Sequence, residues 1–121
     1  MGMVSVGVDI VEVGRIAGAI DRWGTRFLRR IFTQTEIDYC SEKARAAESF
    51  AVRFAAKEAF AKALKIGRVS IWREVEVIRG EGPRPSVLLH GAARELVGAR
   101  RVDLSLSHAA THAVAVVLVE D

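Results

Sequence analysis

The chain reads as an α+β fold, a small antiparallel sheet packed on a long helix and shorter helices, and three observations predict it. Short runs rich in β-branched residues stand near both ends, Val4 to Ile10 and Ala113 to Val119. Between them, Ala44 to Lys65 is built largely from Ala, Glu, Lys, Arg and Phe with no Gly or Pro, the make-up of a long helix. A turn signal, Gly80-Glu81-Gly82-Pro83, separates two further short apolar runs. At 121 residues, half of them hydrophobic, the chain holds one core and reads as a single domain, 1–121, able to fold without disulfides.

Each element has its own signal. Val4 to Ile10 reads as a strand. Val13 to Trp23 reads as a first helix, with Val13, Ile16, Ala17 and Ile20 at helical spacing. Thr33 followed three positions later by Glu36 is a capping box, so a second helix starts near Thr33. The long helix comes next. Val75 to Ile78 and Ser86 to Leu89 flank the Gly80–Pro83 turn as a hairpin. Ala92 to Val97 reads as a short helix. Val102 to Ser107 alternates, with Val102, Leu104 and Leu106 on one side and Asp103, Ser105 and Ser107 on the other, the pattern of a half-buried strand. Ala113 to Val119 is apolar on both faces, which implies that another subunit covers part of the sheet.

Composition removes several function classes. The single cysteine, Cys40, excludes an internal disulfide framework and a Cys-based zinc cage. The longest apolar run, Ala113 to Val119, is far short of the roughly 20 residues that span a bilayer. Asp9 and Glu12 interrupt the N-terminal apolar stretch and no basic region precedes it, so no signal peptide is expected. The expected location is the cytoplasm, with no membrane partner. Net charge is +3, unevenly spread. Arg15, Arg22, Arg26, Arg29 and Arg30 stand against Asp21 alone, and Arg53, Lys57, Lys62, Lys65 and Arg68 against Glu58 alone. Such stretches are either solvated helix faces or contacts for an anionic partner.

On the long helix, Phe50, Phe54, Phe60, Ala61 and Leu64 share one arc at about 100° per residue, and Arg53 and Lys57 fall inside it. Two cations on an apolar arc either snorkel to solvent or reach a crevice and bind an anion. Glu58 and Lys62, four positions apart, suit a surface ion pair. Asp9 offers them another role. It lies at the end of an apolar strand, where a bare carboxylate is costly to bury. Asp9, Glu58 and Lys62 together would make a divalent-metal and phosphate site, because Mg²⁺ commonly takes only one or two carboxylates and fills its shell with water and phosphate oxygens. His108 and His112 have the spacing of a helical zinc pair, but they flank a turn between strands. Nor does Ser105-Leu106-Ser107-His108 carry the elbow of a serine nucleophile. His108 reads as a phosphate donor at a crevice mouth or as a structural histidine.

Three motifs then resemble a known family: Val6-Gly7-Val8-Asp9-Ile10-Val11-Glu12-Val13, Arg53-Phe54-Ala55-Ala56-Lys57-Glu58-Ala59-Phe60-Ala61-Lys62-Ala63, and Leu104-Ser105-Leu106-Ser107-His108. In order and spacing they are similar to the holo-acyl-carrier-protein synthases, the short bacterial class of 4′-phosphopantetheinyl transferases. The resemblance covers essentially the whole chain and implies a Mg²⁺-dependent transfer of 4′-phosphopantetheine from coenzyme A to a serine of apo acyl carrier protein. It implies Asp9 and Glu58 as Mg²⁺ ligands and Lys62 beside the pyrophosphate. It also implies Arg53 and His108 around the phosphates and adenosine of coenzyme A, and a homotrimer with active sites between subunits. The first helix becomes the carrier-protein docking element through Arg15, Arg22 and Arg26, a basic surface for an acidic partner. Glu58 and a metal-held water are both candidates to accept the serine proton. In the loop Lys65-Ile66-Gly67-Arg68-Val69 only Gly67 remains of the family's glycine-rich turn, and Lys65 and Arg68 are the candidates to replace its donors.

The alternative is a basic, non-catalytic nucleic-acid-binding module. It accounts for the basic stretches, leaves Asp9 and Glu58 without a role, and expects exposed aromatics among the basic residues. Phe50, Phe54 and Phe60 sit on the core arc instead, so no nucleic-acid partner is expected.

Overall fold

The longest helix runs through the centre of the molecule with a three-stranded sheet laid across it. The computed structural model describes residues 2–66, 69–78 and 84–121. The elements are β1 (Val4–Glu12), α1 (Val13–Trp23), α2 (Thr25–Ile31), α3 (Gln34–Ser41), α4 (Ala46–Ala63), a 3₁₀ helix (Val69–Glu74), β2 (Val75–Ile78), β3 (Ser86–Leu89), α5 (Gly91–Val97), β4 (Arg101–His108) and β5 (His112–Glu120). The expected α+β architecture stands. α2 and the 3₁₀ helix carry too little periodicity to be seen in sequence, and α4 is two residues shorter at each end than its composition implies.

Strands β1, β5 and β4 lie side by side in that order, all antiparallel, with Asp9 opposite Ala115 and Leu106 opposite Ala115 on the other side. β2 and β3 form a separate hairpin with Val77 opposite Val87. The Gly80–Pro83 turn itself lies outside the described residues.

Local chemistry sets the boundaries. Gly24 ends α1 at φ +56 and lets the chain restart as α2. The Thr33–Glu36 capping box forms as expected, each side chain accepting the other's backbone N–H. α4 is not a one-sided amphipathic helix. Phe50, Ala51, Val52, Ala55, Ala56, Ala59, Phe60, Ala61 and Ala63 are all buried, because α1–α3, the 3₁₀ helix and both sheets surround it. One core cluster joins its C-terminal half to β5 and the hairpin; the other joins its N-terminal half to α1, α2 and α3.

Within one chain the sheet is covered unevenly. On β5, Ala113, Ala115, Val117 and Val119 are buried while Val114 and Leu118 are half-buried and Val116 is exposed. That strand is therefore covered fully on one face only. On β1 the apolar residues Val4, Val6, Val8 and Ile10 point outward, Ile10 at 66% exposure, while Ser5, Gly7, Asp9 and Val11 face α4. The apolar side of β1 lies open and its polar side faces the helix.

Candidate active site

β1 closes onto α4 at Gly7. A Cβ there would collide with the backbone of Ala59 and Ala63, so glycine on the strand and alanines on the helix permit the approach. Within the same turn of α4, Lys62 Nζ donates to Val8 O at 3.0 Å and to Asp9 Oδ1 at 2.9 Å. Glu58 Oε1 accepts from Trp72 Nε1 at 3.0 Å. The expected alternative, a Glu58–Lys62 surface pair, does not form; Lys62 turns to β1 and Glu58 to the 3₁₀ helix. Asp9 and Glu58 line one cavity of about 540 Å³, together with Glu12, Arg15, Phe54 and His112. Two segments some fifty residues apart thus bring three carboxylates, those of Asp9, Glu12 and Glu58, to line one space. Among the described residues no three His, Cys, Asp or Glu side chains cluster as a metal cage. Two carboxylates with one oxygen each still uncommitted to these neighbours suit Mg²⁺, which leaves most of its shell to water and phosphate.

A second cavity, about 390 Å³, is lined by Tyr39, Lys43, Arg45, Ser49, Arg53 and His108. Arg53 is buried; its Nη1 donates to Ser49 O at 3.2 Å and to Ser49 Oγ at 3.0 Å, and its guanidinium lies over Tyr39 at 4.7 Å. Its buried Nε is without a hydrogen-bond partner among the described residues. His108 Nδ1 lies 2.9 Å from Glu48 Oε1, which orients the ring at the rim. Cationic and N–H groups converge here, and the cavity fits a phosphate-bearing ligand. His108 and His112 line different cavities, so they form no zinc pair.

Lys57 overturns the expectation made for it. It neither snorkels nor reaches a crevice. It is wholly buried, and its Nζ donates to Glu36 Oε1 at 2.8 Å, Trp72 O at 2.8 Å and Val75 O at 2.6 Å. Glu36 Oε2 accepts from Val77 N at 2.8 Å. Every ammonium hydrogen is thus used inside the protein. Burial pulls the Lys57 ammonium below the usual lysine range, and Glu36 opposes that pull.

The basic N-terminal surface spans two helices. Arg15 and Arg22 lie on α1, but Arg26 lies on α2 because Gly24 breaks the helix before it. Arg15 reaches the Asp9–Glu58 cavity, Arg22 stacks over Trp23 at 5.0 Å, and Arg26 lines a neighbouring groove with Trp23, Phe27, Arg30, Ile31 and Trp72. Gly67 and Arg68 lie outside the described residues. Lys65 is exposed, with φ +59. Sequence reasoning missed Trp72, Tyr39, Glu48 and the cavity position of His112. For His112 a signal existed, since pairing the two terminal strands places it opposite Glu12.

Residues 5–117 match the model of the 4′-phosphopantetheinyl transferase superfamily. Holo-[acyl-carrier-protein] synthases of Koribacter versatilis and Moorella thermoacetica are 49% and 46% identical, over 98% of this chain in each case and 99% and 94% of theirs. The crystal structure of holo-[acyl-carrier-protein] synthase from Neisseria meningitidis superposes with a TM-score of 0.86 at 33% identity, covering 98% of this chain and 100% of that one. The Helicobacter pylori enzyme in complex with coenzyme A superposes with a TM-score of 0.82 at 31% identity, covering 94% and 98%. No helix among the described residues is long and apolar enough to cross a membrane.

Proposed function

The chain belongs to the 4′-phosphopantetheinyl transferase superfamily, and we propose that it transfers 4′-phosphopantetheine from coenzyme A to a serine of apo acyl carrier protein, releasing adenosine 3′,5′-bisphosphate. The observation that carries the reading is the meeting of Asp9 and Glu58 at one cavity, with Lys62 bound to Asp9 beside it. The serine oxygen forms a bond to the β-phosphorus of coenzyme A as the bond to the bridging oxygen breaks, and the serine proton passes to a base. Such chemistry needs positioning and charge neutralisation more than covalent help.

Asp9 and Glu58 would hold Mg²⁺, which supplies Lewis-acid neutralisation of pyrophosphate oxygens when bound. Lys62 is anchored through two hydrogens to Val8 O and Asp9 Oδ1; the third is left for a phosphate oxygen of the leaving group. Arg53 and His108 hold the phosphates and adenosine portion of coenzyme A in the cavity they line. Gly67 joins that set by motif position alone. Glu58 is one candidate acceptor of the serine proton, and Mg²⁺ held by Asp9 and Glu58 would supply a water as the other.

Two partners complete the reading. Arg15, Arg22 and Arg26 attract the acidic carrier protein over a screening length of about 8 Å at physiological salt. Arg22→Glu raises the carrier KM and weakens its salt dependence with the coenzyme A KM unchanged. Three copies of the chain assemble as a homotrimer that covers the open face of Val4, Val6, Val8 and Ile10. A stable, active monomer by light scattering contradicts the trimer. The test of function is incubation with coenzyme A, Mg²⁺ and apo carrier protein. One phosphopantetheine of added mass on the carrier supports it; an unmodified carrier in every divalent metal tried overturns it.

A further inference from the structure

We propose that Trp72 is a positioning residue for this reaction, its indole N–H aiming the Glu58 carboxylate; the proposal rests on the reading of Glu58 as a metal ligand. Consecutive residues of α4 grip Trp72 from two directions. Lys57 Nζ donates to its carbonyl at 2.8 Å, and Glu58 Oε1 accepts from its Nε1 at 3.0 Å. Neighbouring helix positions diverge by about 100°, so one turn of α4 can hold both the main chain and the side chain of a single residue.

The grip is rigid at its base. Lys57 is itself fixed by the buried carboxylate of Glu36 and by Val75 O. The indole packs on Phe54, with ring centroids 5.7 Å apart and planes tilted by 52°. Trp72 therefore presents its N–H from a frame that does not depend on any ligand. It also forms a wall of the Asp9–Glu58 cavity. Without that donor, the half-buried Glu58 carboxylate must be ordered at the moment of metal binding. Groups that orient a metal ligand typically change metal affinity by 10- to 100-fold when lost.

The experiment uses the full-length protein loaded with coenzyme A, without carrier protein, titrated with Mg²⁺ and followed by calorimetry. Trp72→Phe keeps an aromatic ring at the position and removes the donor. The expected result is a Mg²⁺ affinity weaker by about 10-fold with coenzyme A affinity unchanged. Unchanged Mg²⁺ affinity in a folded Trp72→Phe protein overturns the proposal. Glu58→Ala separates the two readings: if it binds Mg²⁺ as well as the parent does, the ligand assignment itself is wrong. The chain has two tryptophans, so Trp23→Phe leaves Trp72 as sole indole reporter even where Trp72→Phe does not fold. Its emission should change saturably with Mg²⁺ at the calorimetric midpoint. A silent Trp72 while heat registers binding also overturns the proposal.

Discussion

Lys57 and Lys62 stand on the same helix and each binds a carboxylate through Nζ, at 2.8 Å to Glu36 and 2.9 Å to Asp9. Their surroundings differ completely. Both side chains of the first pair are 0% exposed, whereas Lys62 is 56% and Asp9 17% exposed. The buried pair has every ammonium hydrogen committed to the fold, tying α4 to α3, to the 3₁₀ helix and to β2. The open pair has room to change partners, as a group that meets a charged substrate must. The same two residue types thus build architecture in one place and, in the function proposed above, a reaction site in the other, and exposure separates the two.

The comparison breaks most readily at the buried end. Lys57→Met strands the Glu36 charge, and removing one partner of a buried pair costs about 3–5 kcal/mol. Urea unfolding checks this, and a loss below about 1 kcal/mol removes the architectural role. At the open end the effect moves from stability to rate. Lys62→Ala should lower kcat by on the order of 10²–10³-fold, as when a group facing transition-state charge is deleted, while stability changes by about 0–1 kcal/mol, as for an exposed pair. A drop in stability with kcat intact reverses the assignment. Between these lies Gly7→Ala. Its methyl has no space against Ala59 and Ala63, so it should destabilise by about 1–3 kcal/mol and also lower kcat by moving Asp9 away from Lys62. Loss of stability without loss of rate would separate the strand's position from the site.

The smallest effect concerns Cys40, in the buried region beside Ser49. Burial pushes its thiol above the ordinary value. The folded chain therefore holds the thiol proton more tightly than the unfolded chain. Its contribution is fully present below the unfolded pKa and is lost as pH rises through the folded one. Native protein at neutral pH should resist alkylation until it is unfolded, and Cys40→Ala should lack the part of the alkaline stability loss that begins near the unfolded thiol pKa. Rapid alkylation of native protein would show that the region opens.

Much of this was legible in the sequence because it rests on local rules. The Thr33–Glu36 capping box, the glycine- and proline-free run of α4, the hairpin flanks and the alternation of β4 depend on residues near one another in the chain. The three motifs, read by resemblance, identified the family, and Asp9 and Glu58 do share a cavity. What local rules missed were choices between faces. Helical spacing placed Lys57 and Arg53 on one arc but had no means of showing that Lys57 meets Glu36 inside while Arg53 lines a cavity. α2 is a seven-residue helix, and its existence depends on Leu28 and Ile31 being buried by the neighbouring core.

By itself, then, the sequence determined the order of the strands and longer helices and the chemical groups available for catalysis, since these follow from residue type and short-range geometry. Only the tertiary structure decided the orientation of β1. Its alternation fits either face, and hydrophobic burial within one chain would favour turning Val4, Val6, Val8 and Ile10 inward. The chain does the opposite because α4 approaches too closely for large side chains there. Gly7 fits against Ala59 and Ala63 where a valine would not, and that same orientation carries Asp9 into reach of Lys62 and into the cavity that Glu58 lines.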